Sequence, residues 1–212
     1  PFSTVNVEVV DELHVSVLGT PFGMKLYTDG VLVIDITTVE TVSGSISPGE
    51  DAGVKKGDYI LSADGRQVLT NEELSAAVAA SGGNRIKLVI KRGGTPKTVY
   101  VTPALSKETN SYRIGLWVRD SSAGIGTLTF YSPATGIVCG LGHGVCDEDT
   151  GDLLELKNGE IVSAEIVSVE KGSSGSPGQL KGRFTYGTIG KIDCNSEKGV
   201  SVSYTHLRAH ET

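Results

Sequence analysis

Ser47-Pro-Gly-Glu-Asp-Ala-Gly-Val-Lys-Lys-Gly-Asp-Tyr-Ile-Leu-Ser-Ala-Asp-Gly-Arg66 places a short helical turn around Ala52, a strand over 59–63 and a tight hairpin turn in succession. Asp64-Gly65 carries the hairpin, because a two-residue turn that matches strand twist needs positive φ at both central positions. Upstream, Val31-Leu-Val-Ile34 with Ile36 reads as a buried strand. Downstream, Thr70 and Glu73 form a capping box ahead of a helix whose apolar face is Leu74, Ala77 and Val78, ended by Ser81-Gly-Gly83. The alternation over 85–91 turns Ile86, Leu88 and Ile90 inward, and Gly93-Gly94 leads into a further strand over 98–101.

The segment 47–66 and the elements around it resemble a bacterial PDZ domain, spanning residues 15–103. Such domains bind peptides by strand addition: an extended peptide pairs with a strand after a glycine-containing loop, whose N–H groups capture its carboxylate. The matching loop is Gly19-Thr-Pro-Phe-Gly23, leading into Met24-Lys-Leu-Tyr27. Pro21 has no N–H to offer, so the resemblance points to Phe22, Gly23 and Met24 as the peptide-binding residues. The other reading of the same loop is an ordinary connection with Phe22 in the core.

Pro103-Ala-Leu-Ser-Lys-Glu-Thr-Asn110 reads as a hinge, with the linker at 104–110. Beyond it the chain turns to short β segments, expected over 114–118, 126–131, 137–141, 161–170 and 186–192, a spacing that suits a barrel or sandwich. His143 sits in Gly140-Leu-Gly-His143-Gly, where flanking glycines leave room for another backbone to approach the ring.

The run Ile114-Gly-Leu-Trp-Val-Arg-Asp120 onward to Tyr131, with Gly140 to Gly144 and Asp147 behind it, resembles the peptidase domain of the stage IV sporulation protein B family of PDZ-containing serine peptidases. The resemblance implies a chymotrypsin-like fold with His143 as general base. It also implies export into the space between the forespore and mother-cell membranes, and cleavage there of a regulatory subunit that restrains an intramembrane protease. Such a peptidase needs a serine nucleophile, an imidazole, a carboxylate that orients the imidazole, and N–H donors for the oxyanion.

Gly172-Ser-Ser-Gly-Ser-Pro177 is the tempting source of the serine. Ser174 follows His143 by only about thirty residues, room for two or three strands, whereas a double-barrel peptidase puts the two groups on different barrels. The family's Gly-Met-Ser-Gly-Ser-Pro motif and the aspartate ahead of it are not found before the tail. Ser174 is therefore read as a turn serine, and the chain as holding the base without its nucleophile. Asp147, Glu148, Asp149 and Asp152 read as a solvated turn rather than as orienters of His143. Cys139-x-x-x-His143-x-x-Cys146 matches no common zinc spacing, so no metal is expected, nor any other cofactor. A Cys139–Cys146 disulfide would leave Cys194 over, and the sequence leaves that pairing open.

The 212 residues divide into an N-terminal remnant strand (1–14), the PDZ domain (15–103), the linker, and a partial trypsin-like domain (111–202). Residues 203–212 read as a non-native tail, in which His206-x-x-x-His210 imitates a metal-binding spacing. The expected fold class is mainly β with one PDZ helix, an α+β chain ending in part of a β-barrel. A net charge of −6 offers no basic stripe, which argues against nucleic acid, and membrane association would come only through a missing N-terminal segment. The resulting reading is a fragment of a sporulation serine endopeptidase acting on a protein or peptide, with the PDZ groove recognising substrate or a self-peptide. Its rivals are a non-catalytic PDZ binding protein and a compact hydrolase that uses Ser174.

Overall fold

The computed structural model describes residue 12 and residues 14–204. Its first strands are β1 (Ser16–Val17), β2 (Pro21–Ile36), β3 (Val39–Thr41) and β4 (Gly44–Ile46). The one-turn helix α1 (Pro48–Asp51), β5 (Tyr59–Ala63), β6 (Arg66–Gln67), helix α2 (Asn71–Ala80), β7 (Ile86–Arg92) and β8 (Thr95–Val101) follow. A small hairpin, β9 (Ala104–Leu105) with β10 (Tyr112–Arg113), precedes the long β11 (Leu116–Thr127). The chain then forms β12 (Phe130–Tyr131), β13 (Val138–Leu141), β14 (Leu156–Glu170), β15 (Gln179–Ser196) and β16 (Gly199–Tyr204).

The molecule is mainly β, with two helices. One sheet runs in the order β1-β12-β13-β16-β15-β14-β2-β5-β7-β8, with β11 and β6 paired off that path. The ends of that path are β1 and β8, and the β11–β2 pairing continues into β12 and β1, with Leu128 N–H donating to Thr20 O and Leu18 N–H to Thr129 O (3.0 Å each).

Several local readings hold. Thr70 and Glu73 make the capping box at α2, satisfying backbone donors that the helix would otherwise leave unpaired. Leu74 and Val78 bury its inner face, and Ile86, Leu88 and Ile90 are all buried on β7. Asp64 and Gly65 both take positive φ, as the hairpin requires.

β2 is where expectation and structure part. The stretch read as a carboxylate-binding loop is strand from Pro21 onward, and Phe22, Gly23 and Met24 pair on one edge with Gly126, Ile125 and Gly124 of β11. On the other edge they pair with Ser163, Val162 and Ile161 of β14. A strand with both edges occupied has no ladder positions left for a peptide. Phe22 and Met24 are buried at 0% and 4% exposure, so their assignment to peptide binding is corrected: they are core residues.

β2 also serves two cores. Phe22, Met24 and Leu26 pack with Leu128, Val138, Ile161, Ile192, Val200 and Val202. Val31 and Val33 pack instead with Ile60, Leu74, Val78 and the inward side chains of β7. Alternation along a strand has period two, so the even-numbered set enters one core from a single face of its stretch and the odd-numbered set enters the other core from a single face of its own. A bulge separates the two stretches: between the pairs Tyr27↔Ser121 and Leu32↔Arg119, four residues of β2 stand opposite Asp120 alone. Thr28 pins it, its hydroxyl donating to the carbonyls of Gly30 (2.7 Å) and Asp120 (3.1 Å).

Two boundaries also move. The segment read as a hinge is tied down by the β9–β10 hairpin and by Lys107 N–H donating to Glu40 O. Ser203 and Tyr204, assigned to the tail, complete β16 opposite Lys191 and Gly190. The remnant strand expected over 4–10 and the His206–His210 spacing lie outside the described residues.

The burial of Phe22 yields a prediction. Phe22→Ala should destabilise the chain by about 3–5 kcal/mol in equilibrium urea unfolding, whereas a peptide-contacting surface residue would change stability by less than about 0.5 kcal/mol.

Candidate functional site

A groove and a turn are the two parts of the molecule equipped for function. The groove, an open cleft of about 630 Å³, lies between α2 and the start of β11. Leu74 and Val78 on the helix side face Ile114, Leu116 and Val118, with Trp117 at the rim, 61% exposed. Gly115 turns the chain into β11 with φ +68°, and a Cβ there would collide with the carbonyl of Thr37. The carbonyls of Ile114 and Gly115 accept from Gly49 and Thr37 N–H (2.9 Å each), which locks the entry to the strand. Among the described residues β11 pairs only with β2, leaving its other edge unpaired beside α2. An apolar trough walled by a helix and an open strand edge is the geometry that admits an extended peptide as an added strand. The sequence carried a signal for it in Ile114-Gly115-Leu116, a glycine between two apolar residues at the head of a strand.

His143 lies in the turn after β13. Gly140 sits against the Phe22 ring, where a Cβ would come within 2.8 Å, and Gly144 packs against Leu153 and the Ser196 carbonyl. These two glycines serve internal packing, whereas Gly142 faces open space and is the one that leaves the ring approachable. The imidazole is exposed, and its Nδ1 lies 3.0 Å from the Gly144 carbonyl. With the proton on Nδ1 donated to that carbonyl, Nε2 presents its lone pair outward, the tautomer a general base requires.

Behind the histidine the chain is fastened at almost every residue. The Asn195 amide accepts from Val145 N–H (2.8 Å) and donates to the carbonyls of Val145 and Leu154 (2.9 Å each). Cys146 bridges to Leu153. Asp147, expected in a solvated turn, is 2% exposed. Its Oδ1 accepts from Asp149 and Thr150 N–H (3.0 and 2.9 Å), and its Oδ2 from Arg119. Burial on its own would raise the Asp147 pKa, but the Thr150 N–H, the Arg119 guanidinium and the Asp149 N–H together hold it below the usual carboxylate value.

No carboxylate or hydroxyl hydrogen-bonds to the His143 ring among the described residues. Ser174 is exposed at the tip of the β14–β15 hairpin, within the turn closed by Ser173 and Ser176. The His143 turn packs at the other end of β15, against Ser196. The eighteen residues of β15 lie between the two sites, roughly 55 Å of extended strand. All three cysteines are free, so Cys139 and Cys146 are not paired, and no three His, Cys, Asp or Glu residues gather as a metal site among the described residues.

The Asp147 environment predicts a pH effect. A carboxyl whose folded pKa is depressed adds stability that is present above its unfolded pKa and lost as pH falls through the folded value. Asp147→Asn should cost about 2 kcal/mol or more near pH 7 and flatten the decline in unfolding free energy below about pH 4, measured by urea titration across pH. An unchanged acid slope would remove the clamp from the account.

Comparison with known proteins fits these two parts. A PDZ domain model matches residues 41–92, and the SpoIVB peptidase S55 model matches residues 110–211. A Clostridium acetobutylicum protein named as a zinc metalloprotease is 37% identical over 83 residues, 39% of this chain and 24% of that protein. Serine protease HTRA1 of Xenopus laevis is 39% identical over 57 residues, 27% of this chain and 12% of that protein. The chain thus spans about a quarter or less of the length of these curated relatives. The crystal structure of the PDZ domain of an SdrC-like protein from Listeria monocytogenes aligns with TM-score 0.34 and 23% identity, over 42% of this chain and 87% of that one. The chain is therefore similar to a PDZ domain over residues 41–92 and to the SpoIVB peptidase S55 domain over residues 110–211.

Proposed function

We propose that the chain is the recognition and general-base part of a serine endopeptidase of sporulation. An extended segment of a protein substrate, or of a second molecule of the same protein, adds to the open edge of β11 beside α2. His143 Nε2 takes the proton of a serine hydroxyl as that oxygen attacks the scissile carbonyl, then returns it to the leaving amine. The observation that carries this reading is the exposed imidazole of His143, with Nδ1 engaged by the Gly144 carbonyl, inside the segment matched by the peptidase family. The nucleophile and the orienting carboxylate come from polypeptide other than the described strands, since Ser174 stands at the far end of β15. Action in the space between the forespore and mother-cell membranes, in signalling between the two cells, rests on the family resemblance.

A second reading, a PDZ binding protein without catalysis, draws on the same isolation of the His143 ring from any serine or carboxylate. Cleavage of a fluorogenic protein substrate by a form extended through a downstream Gly-x-Ser-Gly-x-Pro segment separates the two. The peptidase reading predicts that His143→Ala lowers kcat/KM by about 10³-fold or more, while Ser174→Ala leaves it unchanged. Equal cleavage with and without His143 would overturn the base assignment, and loss of cleavage with Ser174→Ala would move the nucleophile to the hairpin.

A further inference from the structure

Arg119 belongs to the groove strand, yet its side chain ends at the histidine turn. One terminal nitrogen donates to Asp147 and the other to Asp149 (2.6 Å). The next residue, Asp120, accepts from the N–H of Asn71 (3.0 Å), the first residue of α2. Two successive residues of β11 thus hold, respectively, the turn that bears His143 and the helix that walls the groove. Both lie at the bulge in the β2–β11 pairing.

We propose that Arg119 is a positioning residue for His143, fixing the imidazole relative to the groove strand so that the position of β11 is read out at the ring. The significance of this role rests on His143 being the reacting base; its physical basis does not. The argument is one of slack. Gly144 is wedged against Leu153 and Ser196, Val145 is held by Asn195, and Cys146 is bridged to Leu153. Asp147 and Asp149 are the points where the turn attaches to Arg119 of β11, and the Asp147 carboxylate is buried with both oxygens occupied. Removal of the guanidinium leaves a buried carboxylate without its cation, and the turn must move to hydrate it. A planar fork that spans two carboxylates also fixes orientation, which an ammonium cannot do as well.

The test reads His143 directly, in protein labelled with ¹⁵N and ¹³C at histidine and with His143→Ala to assign the ring signals. The wild type should show the Nδ1–H tautomer. Arg119→Gln should shift the ring signals toward the tautomer mixture of a free imidazole and speed amide exchange over residues 143–150 about tenfold or more. Arg119→Lys should fall between the two. The control is Arg92→Gln, which breaks another buried pair, that of Arg92 with Asp58 (2.6 Å), in the PDZ half. It should lower stability without moving His143.

A folded Arg119→Gln protein with unmoved His143 signals would overturn the proposal, as would an equal displacement by Arg92→Gln. If Arg119→Gln does not fold, Asp149→Asn removes only the exposed half of the fork, and an unshifted ring in that variant is equally fatal. Because the readout is spectroscopic, it separates from the catalytic reading: cleavage that survives His143→Ala would sink the base assignment and leave the positioning result standing.

Discussion

The sharing of β2 between two cores, on either side of its bulge opposite Asp120, is the constraint on which the rest of the structure depends. On one side of the bulge Phe22, Met24 and Leu26 enter one core, and on the other Val31 and Val33 enter the core that holds α2. A single sixteen-residue strand thus supplies the centre of both cores, and the PDZ and peptidase halves share backbone ladder as well as side-chain packing. The halves are therefore not two beads on a linker. β11 follows β2 along nearly its full length and inherits the same arrangement, groove at one end and the Phe22 core at the other.

The histidine turn exploits this joint. Leu32 of β2, Tyr59 of β5 and Leu154 form a small third core, with Val145 against it, directly behind His143. The Tyr59 hydroxyl accepts from Glu155 N–H (3.3 Å), and burial pushes its pKa upward. Lys91 of β7 pairs with the Glu155 carboxylate, so the loop after the histidine is held by residues of the PDZ half. The candidate base is thus exposed on a support that belongs to both domains, an arrangement suited to holding a reacting group fixed while one side stays open.

How much of this was legible in the sequence follows from the range of the interactions. The α2 capping box, the Asp64-Gly65 hairpin and the inward set on β7 depend on neighbours a few residues away, and spacing alone reveals them. The role of β2 was hidden because Gly19-Thr-Pro-Phe-Gly23 has the composition of a loop, although Phe22, Met24 and Leu26 already alternated as a strand should. The bulge beyond Tyr27 also interrupts the pairing with β11, which composition does not reveal. The glycine-bracketed histidine was legible as a turn. Asp147 was not legible as a buried clamp, because four acids in one loop look alike until Arg119, distant in sequence, is brought to one of them. The groove strand was hidden for a related reason: it lies after the PDZ helix in the chain, at Leu116–Thr127, whereas the glycine-containing loop of matching composition lies before it.

Native-state amide hydrogen exchange tests the shared strand most directly. If β2 joins both halves, the amides of residues 22–26 and 31–33 should exchange only through global opening, with the same free energy and the same denaturant dependence. Rapid exchange over 22–26, as a loop would give, or two separate opening free energies for the two stretches would contradict the account.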